Sequence, residues 1–467
     1  MPVPGHSTLQ EQPAPVQQTA RLLTYVLCYD DLLKPDTTTF ALDSVDRRVA
    51  IGRCDSGPPR LDTPAQLVIC DRWMSRQHAI IDWAAGHYVV RDAGSRNGTW
   101  VNGREIGADS EHILNNGDLV EVGHSLLCYR VVPRQAAAAL AAERKATPFG
   151  PTPTFSPDMA MLLSDLRRVA RSTESVLILA ETGAGKEIAA AAIHQLSGRS
   201  GEYRAVDCGA IPDNLFESTF FGHRRGAFTG ANEPRIGEIT QADGGTLFLD
   251  EIANMSTAAQ AKLLRVIETG TLTPLGAAEP RSVDVRWVAA TNRELFSDSR
   301  FRHDLLRRIA GYVARIPALR QRREDLGVLT AHLLRQAGAG RADMTAPAGR
   351  ALFLSDLPGN IRQLRAALRS AVLLSGGSSI DVMHLGEFDR SPLDQGNDRA
   401  DIEPTAAPPP APPRAGKSDK PSADDVAAAL SETGGNVVRA AELLHAHPRQ
   451  VYRWIKRFSL SLDSFRS

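Results

Sequence analysis

The stretch that most constrains this chain runs from residue 175 to residue 194: SVLILA, then ETGAGKE, then IAAAAIH. It reads as an apolar strand, a Gly-rich turn and a helix. Such a turn aims backbone N–H groups and a helix N-terminus at one point, where phosphate oxygens bind well. A buried strand leading into a helix also needs a parallel neighbour. From Met159 to about Leu385 further apolar runs, GTLFLDEI and VDVRWVAATN among them, alternate with helical stretches. That alternation predicts a mostly parallel sheet flanked by helices. Lys186 is placed to reach the terminal phosphates of a nucleotide, with Thr182, Gly183, Ala184, Gly185 and Glu187 around it. The pattern G-x-x-x-x-G-K-[ST] is missed twice: Ala180 stands where its first Gly belongs, and Glu187 replaces the hydroxyl residue. If position 180 needs a positive φ, Ala there strains the turn by about 1–2 kcal/mol. The strand GGTLFLDEI ends in two carboxylates. Asp250 suits a Mg²⁺ ion, and Glu251 suits polarising a water for attack on the nucleotide.

The remainder of the 467 residues has room for roughly two more domains. The formal charge is zero, so any nucleic-acid contact must come from a local basic cluster. Five cysteines, none in a C-x-x-C pair, suggest neither a zinc knuckle nor a dithiol redox site and fit a reducing compartment. No apolar run approaches the roughly 20 residues that span a bilayer, and the N-terminus has no signal-peptide pattern. The expectation is a cytoplasmic protein. Residues 1–20, rich in Pro and Gln, read as disordered. Residues 22–133 read as short strands broken by Gly, Asn and Asp turns. Residues 134–151 form an Ala-rich linker ended by prolines, and 387–421 a Pro/Ala-rich tether. Residues 422–467 read as a small helical unit.

Gly226-Ala227-Phe228-Thr229-Gly230-Ala231, within FFGHRRGAFTGA, carries a resemblance. Residues 152–386 resemble the AAA+ domain of the sigma-54 activators, an α/β P-loop ATPase with a helical lid. In that family the GAFTGA loop touches sigma-54. The chemistry suits it: the glycines allow a hinge, Phe228 offers an apolar tip and Thr229 a hydroxyl. The resemblance makes Asn292, after Thr291, the sensor of the γ-phosphate. It makes Arg302 and Arg308, in FRHDLLRRI, the arginine fingers that act on a neighbouring subunit's ATP, and Arg362, in LPGNIRQLR, a second sensor. Fingers acting in trans imply a homo-oligomeric ring, commonly a hexamer in the family. Leu357 stands where the family has Trp. Asp207 stands where many members have Asn, and two nearby carboxylates repel. The lid between Leu334 and Leu357 is short.

Residues 40–130 resemble a forkhead-associated (FHA) domain, an all-β sandwich. The resemblance rests on Gly52-Arg53, Ser75-Arg76-x-His78, Ser95-Arg96-Asn97-Gly98-Thr99 and Asn102-Gly103. It implies that Arg53 and Ser75 bind a phosphothreonine phosphate, that Asn97 holds the ligand backbone, and that Arg76 and Arg96 assist. His78 braces the loops. An arginine supplies charge-assisted hydrogen bonds to phosphate, and a hydroxyl adds a neutral one.

In DDVAAALSETGGNVVRAAELLHAHPRQVYRWIKRF, Gly434-Gly435 stops one helix, Asn436 caps a second and Pro448 opens a third. Val451, Trp454, Ile455 and Phe458 share the inner face of that third helix, while Arg449, Arg453, Lys456 and Arg457 make the rest of it basic. This all-α unit resembles a Fis-type helix-turn-helix, with those four basic residues as the DNA contacts.

Together these parts describe a multidomain transcription activator. It would bind upstream promoter DNA, hydrolyse ATP with Mg²⁺ and remodel the sigma-54 RNA polymerase closed complex. A phosphothreonine-containing protein, either a Ser/Thr kinase or its substrate, would control it. Two rivals are an AAA+ remodeller acting on DNA or replication proteins, which GAFTGA opposes, and a phosphopeptide-binding scaffold with a decayed ATPase, which the retained Lys186, Asp250, Glu251, Arg302 and Arg308 oppose.

Overall fold

A computed structural model describes residues 19–389, except 45–46, 63–64 and 108–109, and in the C-terminal region residues 423–433 with isolated residues at 440, 443–444 and 458. The chain separates into two compact units, residues 1–400 and 401–467. The tether and most of the N-terminal segment read above as disordered lie outside the described residues.

The first unit opens with two six-stranded sheets. One runs, in spatial order, Thr38–Ala41, Thr19–Cys28, Ser125–Pro133, Leu119–Val122, Thr99–Val101, Arg104–Glu105. The other runs Glu111–Ile113, His87–Asp92, Ala79–Ala84, Arg48–Arg53, Gln66–Ile69, Arg60–Asp62. Between them lies a core that includes Leu23, Ile51, Ile69, Ile81, Val90, Val120 and Leu127. Alternate positions of the first sheet have a different destination. Val26, Leu119, Leu126 and Cys128 point away from the sandwich and join a second core with Leu329, Leu333, Leu352, Phe353 and Leu364. The first sheet is therefore covered on both faces, the second cover being helices from the far end of the same unit.

The segment after the sandwich opens with the helix Arg134–Glu143, whose Ala136 and Leu140 are buried against Leu22, Val132 and Ala160. Glu143 pairs with Arg167 at 2.7 Å, in the helix Pro157–Ala170. Ser156 caps that helix by accepting from Met159 N, and Pro157 takes the first helical position.

The central sheet has the spatial order Tyr203–Asp207, Thr246–Asp250, Arg286–Thr291, Val176–Leu179, Tyr312–Arg315, and all of its pairs are parallel. The expected strand–helix alternation is present. Helices Leu326–Gln336, Ala346–Phe353 and Asn360–Ser375 follow and form the lid. They meet the first sandwich sheet at backbone distance. A Cβ on Gly327 would lie 1.9 Å from Val26 O, and one on Gly349 would lie 2.5 Å from the Tyr29 ring. Leu32 N donates to Ala342 O at 2.9 Å and Met344 N to Tyr29 O at 2.8 Å. Arg130 reaches across to the buried Glu324, Nε to Oε1 at 3.0 Å.

In the second unit the described helix is Ala423–Glu432, with Val426 and Leu430 buried. The second and third helices expected there, with Arg449, Arg453, Lys456 and Arg457, lie outside the described residues.

Candidate functional site

The strand Val176–Leu179 delivers the chain into the Gly-rich turn, and the helix Lys186–Ser197 leaves it. Gly183 and Gly185 have φ of 75° and 110°, left-handed values that suit glycine. Ala180 is not among the positive-φ residues; its N–H donates to Thr291 O at 3.1 Å. The strain considered for Ala at this position does not arise, because the tight turn begins after it.

Lys186 is 7% exposed, and its ammonium pairs with Glu251 Oε1 and, at 3.7 Å, with Asp250 Oδ1. Burial raises the Asp250 carboxyl above its ordinary range, and Lys186 opposes the rise. Glu251 stands in the left-handed region at φ 49°, just past the strand end. Its other oxygen accepts from Asn292 N at 3.4 Å, while Asn292 Nδ2 donates to Thr182 Oγ1 at 3.3 Å. Asp207 is the register partner of Asp250 on the neighbouring strand, and its Oδ1 accepts from Gly209 N at 2.9 Å.

Thr182, Gly183, Gly185, Lys186, Glu187, Asn292 and Arg362 line one cleft of about 570 Å³ together with Asp207, Asp250 and Glu251. Ala184 lines an adjoining, more apolar slot with Phe149, Pro151, Pro153, Ile188 and Leu333. Sequence reasoning missed that slot, along with Asn254, Arg293 and Arg365, which also face the cleft. Arg365 carried a signal, since it lies three residues after Arg362 on the same helix face. The donor set fits a nucleoside triphosphate with a divalent cation: backbone N–H groups and Lys186 for phosphates, Asp250 for the metal, and the more apolar slot for a base.

The structure does not bring Arg302 and Arg308 to this cleft. Arg302 pairs with Asp304 at 2.6 Å and Arg308 with Glu268 at 3.1 Å, on a separate surface depression that includes His303 and Arg307.

The Gly226–Ala231 loop tops a hairpin whose base is Gly222–His223 against Arg235–Ile236. It is closed by Gly226 N to Ala231 O at 2.8 Å and Ala231 N to Phe228 O at 3.0 Å. Phe228 is 43% exposed, its ring edge-on to His223 at 5.0 Å, and Thr229 is exposed. A second hairpin buttresses the first through Arg224 N to Leu275 O and Leu275 N to Gly222 O, both 3.0 Å.

At one end of the sandwich Arg53, the last residue of its strand, lies beside the loops that carry Ser75, Arg76, Arg96 and Asn97. Arg53 N donates to Ser75 O at 3.0 Å, and Arg96 N to Ser75 Oγ at 3.3 Å. Asn97 Nδ2 donates to Trp73 O at 2.6 Å. His78 is fully buried beneath them. Its Nδ1 accepts from Ser75 N and its Nε2 faces Gly98 O, both at 3.0 Å, which requires the neutral ring protonated on Nε2. Burial lowers its pKa below 6.5. Gly52 allows Arg76 O to approach to 1.9 Å from where a Cβ would be.

Residues 154–314 match the sigma-54 interaction domain, 49–123 the FHA domain, 320–401 the AAA+ ATPase lid domain and 426–464 a homeodomain-like domain. The Nif-specific regulatory protein of Azotobacter vinelandii is 39% identical over 319 residues, which are 66% of this chain and 58% of that one. The transcriptional regulatory protein ZraR of Escherichia coli (strain K12) is 40% identical over 298 residues, 62% of this chain and 64% of that one. This chain thus spans about three-fifths of the length of those relatives. Among solved structures, NtrX from Brucella abortus in complex with ATP aligns at TM-score 0.48 and 27% identity, over 69% of this chain and 72% of that one. Among the described residues no helix is long and apolar enough to cross a membrane. With a sigma-54 interaction domain and its lid between an FHA domain and a helix-turn-helix region, the chain belongs to the sigma-54-dependent transcriptional regulators.

Proposed function

We propose that this protein is a cytoplasmic transcription activator that hydrolyses ATP to remodel sigma-54 RNA polymerase from an upstream DNA site, under control of a phosphothreonine-bearing protein. The observation that carries the reading is the intact Gly226–Ala231 loop, exposed at Phe228 and Thr229 on a doubly buttressed hairpin of the domain that holds the cleft.

The cleft's own residues divide the work. Gly183, Gly185 and Lys186 bind the phosphates, and Arg362 with Asn292 registers the terminal one. Asp250 would hold a Mg²⁺ ion, which would supply neutralisation of phosphate charge. Glu251, freed from Lys186 when that ammonium turns to phosphate, orients the attacking water and takes its proton. Asp207 faces the same space and adds negative charge, which favours Glu251's departure toward the water rather than a resting contact with residue 207. Arg302 and Arg308 point to a different surface, as residues serving a neighbour's nucleotide would; this supports a homo-oligomeric ring, with six subunits as the reading. Arg53 and Ser75 receive the phosphothreonine phosphate, Arg76 and Arg96 add charge, and Asn97 holds the peptide backbone. Arg449, Arg453, Lys456 and Arg457 contact DNA.

The test is capture of purified sigma-54 by the full chain in the presence of ADP with a metal fluoride that mimics the transferring phosphoryl group. Capture that depends on the nucleotide and disappears in Thr229→Ala is expected. Hydrolysis without capture would transfer the activity to another target, and absence of hydrolysis would leave a phosphopeptide-binding scaffold.

A further inference from the structure

One lid arginine sits between the two ligand sites. Arg350, in the helix Ala346–Phe353, grips Glu121 of the FHA sheet: Nη2 to Oε1 at 2.6 Å, Nε to Oε1 at 3.1 Å and Nε to Oε2 at 3.0 Å. Glu121 is 3% exposed, so its charge depends on that guanidinium. The same guanidinium lies 3.7 Å over the Trp100 ring. From there two routes lead to one place. Trp100 Nε1 donates to Asn97 O at 3.4 Å, and Asn97 Nδ2 to Trp73 O. On the other side Glu121 Oε2 accepts from Tyr29 Oη at 3.3 Å, and the Tyr29 ring adjoins His124, which stacks on Trp73 at 4.6 Å. Both routes end on Trp73 and Asn97, which flank Ser75.

Toward the cleft the connection is as short. Tyr29 stacks on Phe353, the last residue of Arg350's helix. The chain then turns through Leu357, at φ 44°, into the next lid helix. Ile361 N donates to Gly183 O and Asn360 Nδ2 to Thr182 O, both at 3.1 Å. Arg362 and Arg365 of that helix line the nucleotide cleft.

We propose that Arg350 is a positioning residue that couples the phosphothreonine corner to the nucleotide cleft, so that filling either site changes affinity at the other. A peptide that takes up the Asn97 amide draws it from Trp73 O. That perturbs the loop to which Trp100 is hydrogen-bonded and hence the seat of the Arg350 guanidinium. The lid helix is bolted to the phosphate loop, so the change reaches Thr182 and Gly183. By thermodynamic necessity the effect runs in both directions. The inference rests on the reading of Arg53 and Ser75 as a phosphothreonine site.

The experiment measures ADP affinity of the full chain with and without a pool of peptides that carry one phosphothreonine among randomised flanks, beside the unphosphorylated pool. The phosphorylated pool is expected to shift ADP affinity by roughly fivefold or more. Glu121→Gln and Arg350→Met abolish the shift, although each still binds the pool. If peptide binds in an Arg53-dependent way and ADP affinity stays within twofold, the coupling is wrong while the phosphothreonine reading stands. If no peptide binds, that reading is wrong, and amide exchange decides the coupling. Glu121→Gln should then change protection both at residues 182–185 and at 73–75. Change confined to its own strand and the lid helix overturns the proposal.

Discussion

The chain contains two places built for phosphate, and they handle charge in opposite ways. In the nucleotide cleft the cation is internal and already matched: Lys186 is buried and spends its charge on Glu251 and Asp250. In the FHA corner, Arg53, Arg76 and Arg96 are partly or fully exposed, and among the described residues none of their guanidinium groups is paired with a carboxylate. The first arrangement holds the buried lysine against two carboxylates until a ligand takes it over. The second keeps a standing positive field, as the proposed phosphopeptide site requires. An enzyme site needs a charge that changes partners; a recognition site needs one that waits.

The contrast is broken most sharply at Lys186. Lys186→Ala removes the phosphate ligand and leaves Asp250 and Glu251 without their cation, so ATP turnover should fall by about 10²- to 10³-fold in a phosphate-release assay. A turnover within threefold of the native chain would show that the lysine's pairing is structural only. Arg53→Ala should weaken phosphothreonine peptide binding by about 10- to 100-fold, the loss of a charge-assisted hydrogen bond, with ADP binding unchanged. Anisotropy titrations would check it; equal loss at both sites would mean a folding defect instead. The smallest effect concerns His78. Its native pKa lies below the 6.5 of a free imidazole because burial disfavours the cation. The unfolded chain therefore binds more protons at acid pH. The stabilisation is fully present above about 6.5 and is lost as pH falls below that value and through the native one. Protonation also turns Nδ1 into a donor facing Ser75 N–H. Amide exchange at Ser75, corrected for its intrinsic pH dependence, should accelerate below pH 6.5 and stay flat above it.

The cleft was legible because phosphate chemistry demands particular residue types in a fixed local order. One strand, one turn and one helix fix Gly183, Gly185 and Lys186, and the strand carrying Asp250 is its own apolar run. The FHA resemblance singled out Arg53, Ser75 and Asn97, and the structure sets the last two on loops and Arg53 at the end of its strand. What escaped was long-range. The ion pair of Lys186 with Glu251 joins two motifs across the sheet, and the pair Glu121–Arg350 spans 229 positions. Neither has a periodicity to betray it. A weaker signal did exist. LLTYVLC and LLCYRVV are apolar at almost every position instead of every second one, and strands covered on both faces read that way. Their second cover could have been inferred, though not its identity. Arg449, Arg453, Lys456 and Arg457, the expected DNA contacts, lie outside the described residues.

Gly327 and Gly349 carry a consequence for the history and the engineering of this chain. Val26 O and the Tyr29 ring occupy the space that any side chain at those two lid positions would need. The FHA domain is therefore keyed to the ATPase domain like a fitted part rather than hung from it as an interchangeable module. A chimera that grafts these strands onto another ATPase domain has to bring the lid helices with them, and a recombination event between residues 133 and 152 would separate two halves of one core.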